Sequence, residues 1–214
     1  MPALSGVRIA FVVANEGVES VELTTPWDAA RAADASTFVV APDEGSVLLM
    51  NHLDKAGTVE ADLVTRDVGP SDFDAVVLPG GVVNADQLRT DAAAVGLVRS
   101  MVEAGKPLAV ICHGPWTLVE ADVLRGRTLT SWPSLRTDIR NAGGTWVDRE
   151  VVRCSSGPNT IVSSRSPRDL PAFCTSFLDL FAEHRHRWPS DDARIDEAGM
   201  ESFPTSDPAS FTPR

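Results

Sequence analysis

The segment from Lys106 to Pro115, KPLAVICHGP, contains the features that decide the fold. Its first six residues are mostly apolar, as is typical of a strand buried on both faces of a parallel sheet. Cys112, His113 and Gly114 come next, and Pro115 suits the first turn of a helix because its missing N–H would be unpaired there anyway. Cys112 is therefore predicted to lie on a tight turn from a strand into a helix.

Strand-like and helix-like segments alternate on both sides of this turn. Buried strands are predicted at Val7–Ala14, Ser36–Ala41 and Asp74–Leu78, with helical spacing of apolar residues from Val18 to about Ala33 and from Asp91 to Ala104. The remaining predicted elements are a hairpin or meander at Met50–Thr65, strands at Leu129–Trp132, Trp146–Val152 and Thr160–Ser164, and helices at Pro115 to about Leu124, Ser134–Asn141 and Leu170 to about Arg187. The alternation predicts an α/β fold with a doubly wound, mostly parallel sheet flanked by helices.

The chain of 214 residues is long enough for one α/β domain with a buried core and too short for two large ones. We assign residues 1–187 to this domain. From Trp188 to Arg214 the composition shifts to Pro, Ser, Asp and Glu without apolar periodicity. This predicts a flexible or loosely docked acidic tail over residues 188–214.

Charge and cysteine content exclude several classes of function. The formal net charge of −11 disfavours nucleic-acid binding through phosphate contacts. It disfavours binding to anionic membranes for the same reason. Three widely spaced cysteines without a C-x-x-C pair suit neither a disulfide scaffold nor a zinc ribbon, so no metal site is predicted. With no signal-peptide pattern and no apolar run of membrane-spanning length, we expect a cytoplasmic protein with reduced thiols.

Candidate site residues follow the predicted strands at the carboxyl edge, where doubly wound sheets form their sites. They are Glu19 and Glu22, Gly80 and Gly81, and Cys112 and His113. A cysteine at a helix start lies near the positive end of the helix dipole, which favours the thiolate and predicts a lowered pKa. The N–H of His113 and an N–H of the glycine pair, Gly81 in preference to Gly80, are predicted to form an oxyanion hole.

Each of these features also has a plainer explanation. A lone cysteine after an apolar strand is usually packed and inert, Pro-Gly-Gly is usually a loop, and a glutamate near a helix start usually complements the dipole. His113 is a candidate acid or base, although adjacent residues on a tight turn often point apart. Cys154 and Cys174 are interpreted as structural residues.

A longer set of motifs resembles one family. The matching segments are Glu19–Leu23 (ESVEL), Leu78–Gly81 (LPGG), Ala109–Pro115 (AVICHGP), Gly126–Thr130 (GRTLT), Asn141–Gly144 (NAGG), Trp146–Val152 (WVDREVV), Ser163–Arg165 (SSR) and Asp169–Pro171 (DLP). Over roughly residues 7–182 the chain resembles the PfpI intracellular protease family of the class I glutamine-amidotransferase-like superfamily, which includes the parkinsonism-associated and stress-induced bacterial deglycases. The resemblance implies a flavodoxin-like sheet and no cofactor.

The resemblance also implies roles for individual residues. Cys112 is implied as the nucleophile and redox-sensitive thiol, and Glu22 as a carboxyl that hydrogen-bonds it and relays protons, with Glu19 among the substrate-binding residues. In this family an acid after the glycine pair orients the histidine across a subunit interface, and Asp86, about one place from the family's position, is the candidate here. A homodimer with the site near its interface is implied.

Three functions follow as hypotheses. The leading one is a carbonyl-stress enzyme of the glyoxalase or deglycase type, in which Cys112 adds to methylglyoxal or an early glycation adduct and hydrolysis releases lactate. The first alternative is a cysteine peptidase or amidase in which Cys112, His113 and Asp86 carry out acyl transfer on a peptide substrate. The second is a non-enzymatic redox sensor or chaperone in which Cys112 is oxidised to a sulfinate.

Overall fold

The structure, a computed structural model, describes residues 3–185 of the chain. Its strands are β1 (Arg8–Val12), β2 (Glu16–Glu19), β3 (Ser36–Ala41), β4 (Ser46–Asn51), β5 (Asp54–Glu60), β6 (Leu63–Val64), β7 (Ala75–Leu78), β8 (Leu108–Ile111), β9 (Thr128–Leu129), β10 (Thr145–Trp146), β11 (Val151–Cys154) and β12 (Ile161–Ser164). Its α-helices are α1 (Ser20–Ala32), α2 (Val82–Leu88), α3 (Ala92–Glu103), α4 (Pro115–Glu120), α5 (Arg136–Asn141) and α6 (Leu170–His184). The predicted tail, residues 188–214, lies outside the described range.

The central sheet has the strand order β11-β12-β8-β7-β1-β3-β6. Neighbouring strands in it are parallel, except that β11 runs antiparallel to β12 at one edge. The predicted fold class, a doubly wound and mostly parallel sheet, is therefore confirmed. β1, β7 and β8 lie side by side in the middle, so their carboxyl ends meet at one edge of the sheet.

Both faces of the sheet are covered by helices, which explains why its central strands are apolar at every position except Arg8, the first residue of β1. Successive side chains of a strand point to opposite faces. Phe11 and Val77 accordingly pack with apolar residues of α1 and α6, whereas Ala10 and Val76 pack with those of α3 and α4. Burying one such large apolar side chain stabilises the fold by roughly 1.5–3 kcal/mol.

Some predicted elements are wrong in detail. The strand predicted at Trp146–Val152 is split, because β10 pairs with β9 in a separate small sheet while β11 joins the central sheet. The helix after Cys112 ends at Glu120 and not near Leu124. Asp122, two residues beyond Glu120, has a left-handed conformation with φ +53°, which does not continue a helix. The hairpin or meander predicted at Met50–Thr65 begins earlier, as the β4–β5 hairpin, which joins β2 in a three-stranded sheet. Leu63–Val64, within the predicted range, is β6 of the central sheet.

The described helices include none that combines the length and apolar character needed to cross a bilayer.

Candidate active site

Cys112 lies on a sharp turn directly after β8. Its φ is +60°, a left-handed conformation that is strained for a residue with a side chain. The turn is held from both sides, because the Cys112 N–H donates to the Ser164 carbonyl (3.1 Å) and its carbonyl accepts from the Trp132 N–H (2.9 Å). At Gly114 a Cβ would lie 2.7 Å from the Leu78 carbonyl oxygen, so the turn packs against β7 only with glycine there. The predicted strand-to-helix turn is present.

Glu22 points from α1 toward this cysteine and is fully buried. Its Oε2 accepts a hydrogen bond from the Gly80 N–H at 3.0 Å. Burial raises the pKa of Glu22 to about 8, against the opposing effect of a hydrogen bond with Cys112. At neutral pH the carboxyl therefore keeps its proton and is a hydrogen-bond donor beside the thiol.

The pKa of Cys112 moves in the opposite direction from the sequence-based prediction. Burial and the neighbouring Glu22 raise it, while hydrogen bonds from the Gly81 and His113 N–H groups oppose the rise. The prediction of a lowered thiol pKa was based on the helix dipole alone, and α4 has only six residues. Cys112 therefore needs a proton acceptor before it can attack.

The His113 ring is placed to accept that proton. Its Nδ1 lies 3.2 Å from Cys112 Sγ, so the two adjacent side chains meet. Its Nε2 lies 3.3 Å from Ser134 Oγ, and the ring stacks on Trp132 with centroids 5.8 Å apart. Burial lowers the pKa of His113 to about 4, which leaves the imidazole neutral at pH 7.

The two glycines after β7 have different tasks. Gly81, with φ +97°, directs its N–H at the Cys112 sulfur, as the predicted oxyanion donor should. The Gly80 N–H donates its hydrogen bond to Glu22, so the prediction that it is an oxyanion donor is wrong. A Cβ on Gly80 would lie 2.6 Å from the Cys112 Cβ, and glycine is needed there for close approach.

A cavity of about 310 Å³ opens above these groups. Its walls are mainly apolar, with Glu19 as a charged side chain that accepts a hydrogen bond from the His52 N–H at 3.1 Å. The apolar lining residues include Met50, Leu53, Val82, Val83, Trp132 and Pro167. Sequence reasoning missed the part from the β4–β5 hairpin tip, since Met50, His52 and Leu53 carry no motif.

Asp86 is not part of this constellation within one chain. It is exposed on α2, whereas the His113 nitrogens contact Cys112 and Ser134. The arrangement across a subunit interface that the resemblance implies stays a prediction. Ser134 was not anticipated, because a serine after Trp132-Pro133 gives no sequence signal for a histidine contact. Among residues 3–185, no group of three or more His, Cys, Asp or Glu side chains is arranged to hold a metal ion.

Several known proteins resemble this chain in sequence and in fold. The family model described as DJ-1/PfpI family matches residues 7–180. The chain is 40% identical over 174 residues to Deglycase PfpI of Pyrococcus furiosus, covering 81% of this chain and 99% of that protein. It is 37% identical over 173 residues to Protein/nucleic acid deglycase 2 of Escherichia coli, covering 81% and 96%. The crystal structure of Drosophila melanogaster DJ-1beta superposes with a TM-score of 0.72 at 26% identity, covering 85% and 95%. The chain belongs to the DJ-1/PfpI family.

Proposed function

We propose that this chain is a cysteine-dependent enzyme that hydrolyses methylglyoxal or early glycation adducts without a cofactor. The observation that carries the proposal is the buried Glu22 carboxyl set against the Cys112 thiol at the cavity. A volume of about 310 Å³ is at the small end for ligand pockets and suits a small carbonyl compound. The two relatives described above, named deglycases, support the same chemistry.

The first step is addition to the aldehyde. His113 Nδ1, which is neutral and 3.2 Å from the sulfur, accepts the thiol proton as Sγ forms a bond to the aldehyde carbon. The former carbonyl oxygen takes the proton of the Glu22 carboxyl, and a hemithioacetal results. The N–H groups of Gly81 and His113 stabilise the negative charge that develops on that oxygen.

The second step moves hydrogen between the two carbons. The Glu22 carboxylate removes the C–H proton of the hemithioacetal, and the neighbouring ketone oxygen takes the proton held by His113. The hydroxyl on the sulfur-bearing carbon then returns its proton to His113, while Glu22 delivers its own to the other carbon, which gives a lactoyl thioester. Water cleaves the thioester, its OH going to the acyl carbon and its remaining hydrogen to the sulfur. The proton held by His113 returns to Glu22, and lactic acid loses its own proton to solvent as it leaves as lactate.

A homodimer, in the cytoplasm, is proposed as the state in which this site works. Four large apolar residues around the cavity are exposed: Leu53 (92%), Val82 (54%), Val83 (47%) and Trp132 (42%). A second copy covering them would remove apolar surface from water next to the site. Sedimentation of wild type and Val83→Asp tests this, and a monomeric wild type would contradict it.

Lactate production from methylglyoxal by freshly reduced protein tests the activity, with a fluorogenic peptide assayed in parallel. We expect lactate formation by wild type and a loss of about 10²-fold to 10⁴-fold in Glu22→Gln, which cannot exchange protons. Glu16→Gln, on an exposed residue of β2, is the matched control and should retain full activity. Peptide cleavage without lactate formation would favour the cysteine peptidase. No activity in either assay would favour the redox sensor.

A further inference from the structure

Asn84 connects the end of β1 to the glycine loop beside Cys112. It lies in the first turn of α2 and is fully buried. Its Oδ1 accepts a hydrogen bond from the Ala14 N–H at 2.7 Å, and its Nδ2 donates to the carbonyls of Pro79 (3.2 Å) and Gly80 (2.9 Å). An N–H on one side and two carbonyls on the other fix the orientation of the amide.

These bonds determine the direction of one peptide unit. In the described chain no peptide bond is cis, and in a trans peptide the C=O and the following N–H point in opposite directions. The Gly80 oxygen is held by Asn84 Nδ2 (2.9 Å) and by the Glu19 N–H (3.3 Å). The N–H of Gly81 must then point away from Asn84, and it meets the Cys112 sulfur.

A peptide between two glycines needs such a restraint. Glycine adopts positive and negative φ about equally readily, so the Gly80–Gly81 peptide has little intrinsic preference for one orientation. The Glu19 N–H bond to it is long, at 3.3 Å, whereas the Asn84 bond has ordinary length. Asn84 is therefore the stronger of the two restraints.

We propose that Asn84 is a positioning residue that holds the Gly80–Gly81 peptide so that the Gly81 N–H points at Cys112 Sγ and at the oxyanion formed there. Asn84 does not touch the cavity and acts only through the peptide. The inference rests on the proposed role of Cys112 as the nucleophile. It predicts two linked losses when the amide is removed: a thiolate that forms less readily and a transition state that is less well stabilised.

Asn84→Ala tests this against a matched control, Asn159→Ala. Asn159 is also buried, with its Nδ2 donating to the Lys106 carbonyl (2.7 Å) and its Oδ1 accepting from Arg127 (2.6 Å), but it precedes β12 at the opposite edge of the sheet. The rate of Cys112 alkylation by iodoacetamide is followed against pH by mass spectrometry. Urea unfolding and the kcat and KM for methylglyoxal are measured on the same samples.

For Asn84→Ala we expect a higher apparent pKa of Cys112, alkylation at pH 7 about tenfold slower, and kcat lowered about 10-fold to 100-fold. These losses are smaller than the 10²–10³ typical of deleting an oxyanion donor outright, because the Gly81 N–H is loosened and not removed. The KM should stay within about twofold. Asn159→Ala should lose comparable stability without either change.

An unchanged alkylation profile in a folded Asn84→Ala, or the same kcat loss in Asn159→Ala, would overturn the proposal. If Asn84→Ala fails to fold, Asn84→Ser replaces it, since a hydroxyl can still donate to one carbonyl and an intermediate loss is expected. If wild type makes no lactate, the proposed function fails, yet the alkylation profiles still decide the role of Asn84.

Discussion

Cys112 and Cys154 are equally buried, each 6% exposed, yet their surroundings shift the pKa of the two thiols in opposite directions. Cys112, at the carboxyl edge of the sheet, faces the carboxyl of Glu22, which together with burial raises its pKa. Cys154 pairs with the first residue of β12, and so lies at the amino ends of the parallel strands. Its sulfur there accepts a hydrogen bond from the Thr128 N–H at 3.3 Å. Hydrogen bonds and the nearby Arg127 lower the pKa of Cys154 despite its burial.

The contrast shows that a low thiol pKa is not what marks the candidate nucleophile in this fold. Arg127 is 2% exposed, and in the described part of the chain no carboxylate forms a salt bridge with it. Cys154 can thus hold a negative charge more easily, but it does not line the cavity. Cys112 lines the cavity and has both a proton acceptor and a proton donor within contact.

Replacing each cysteine with serine should give the largest difference between the two regions. Cys112→Ser should lower lactate formation at least about 10³-fold, since a hydroxyl is a far poorer nucleophile than a thiol. Cys154→Ser should stay within about twofold of wild type, because it leaves the cavity intact. Steady-state assays of both variants decide this, and a comparable loss in Cys154→Ser would break the distinction.

Two glycines with positive φ, one whose N–H faces the Cys112 sulfur and one in the β4–β5 hairpin, offer a second comparison. Gly81→Ala would force an alanine into φ +97° with its Cβ 2.8 Å from the Glu19 nitrogen. Gly57→Ala, at φ +113° in β5 with nothing within 4 Å, is the matched control for strain. Strain alone costs of order 1–3 kcal/mol. In urea unfolding, we expect Gly81→Ala to lose about 2 kcal/mol more of the free energy of unfolding than Gly57→Ala does. We also expect Gly81→Ala to form lactate about 10²-fold more slowly than wild type.

Equal destabilisation of the two alanine variants would show that the backbone at Gly81 can move aside. The close packing described around the oxyanion donor would then be wrong.

The Glu22 carboxyl should also make stability fall as pH rises. Its pKa of about 8 in the folded protein lies above the ordinary 4.5, so its contribution is complete below pH 4.5 and is lost as pH rises toward 8. Between pH 6.5 and 8 the change should be about 1.5 kcal/mol, from roughly 1.4 kcal/mol per pH unit. His113, with its pKa lowered to about 4, is neutral in the folded protein but partly protonated near pH 6.5 in the unfolded chain, where its pKa is the ordinary 6.5. It therefore adds a smaller rise of stability over this window, which is common to wild type and Glu22→Gln and cancels in their difference.

Urea unfolding of wild type and Glu22→Gln at pH 6.5 and 8 measures this change. The glutamine variant should show a flatter dependence, since it has no proton to lose. Parallel curves for the two proteins would mean that the carboxyl is already ionised at neutral pH.

The strands and the Cys112 turn could be predicted because they depend on local pattern: an apolar run, a short polar turn and a proline suited to a first helical turn. The electrostatics of the site could not. The rise in the Cys112 pKa depends on burial and on Glu22, and no local spacing shows how closely the two residues approach. The same holds for Asn84, whose partners lie at the ends of β1 and β7 and come together only when the sheet forms.

The Cys154 thiol should give the smallest effect, with the opposite sign to Glu22. Its pKa in the folded protein is lowered from 9.0, so ionisation favours the folded state: the contribution is complete above pH 9 and is lost as pH falls through the lowered value. Relative to Cys154→Ser, wild type should therefore gain stability from pH 7.5 to 9, measured by urea unfolding. Because only the difference between the two proteins is used, groups that titrate in both cancel. The same pH dependence in both would show that Arg127 does not favour a thiolate, and the contrast between the two buried cysteines would then rest on access to the cavity alone.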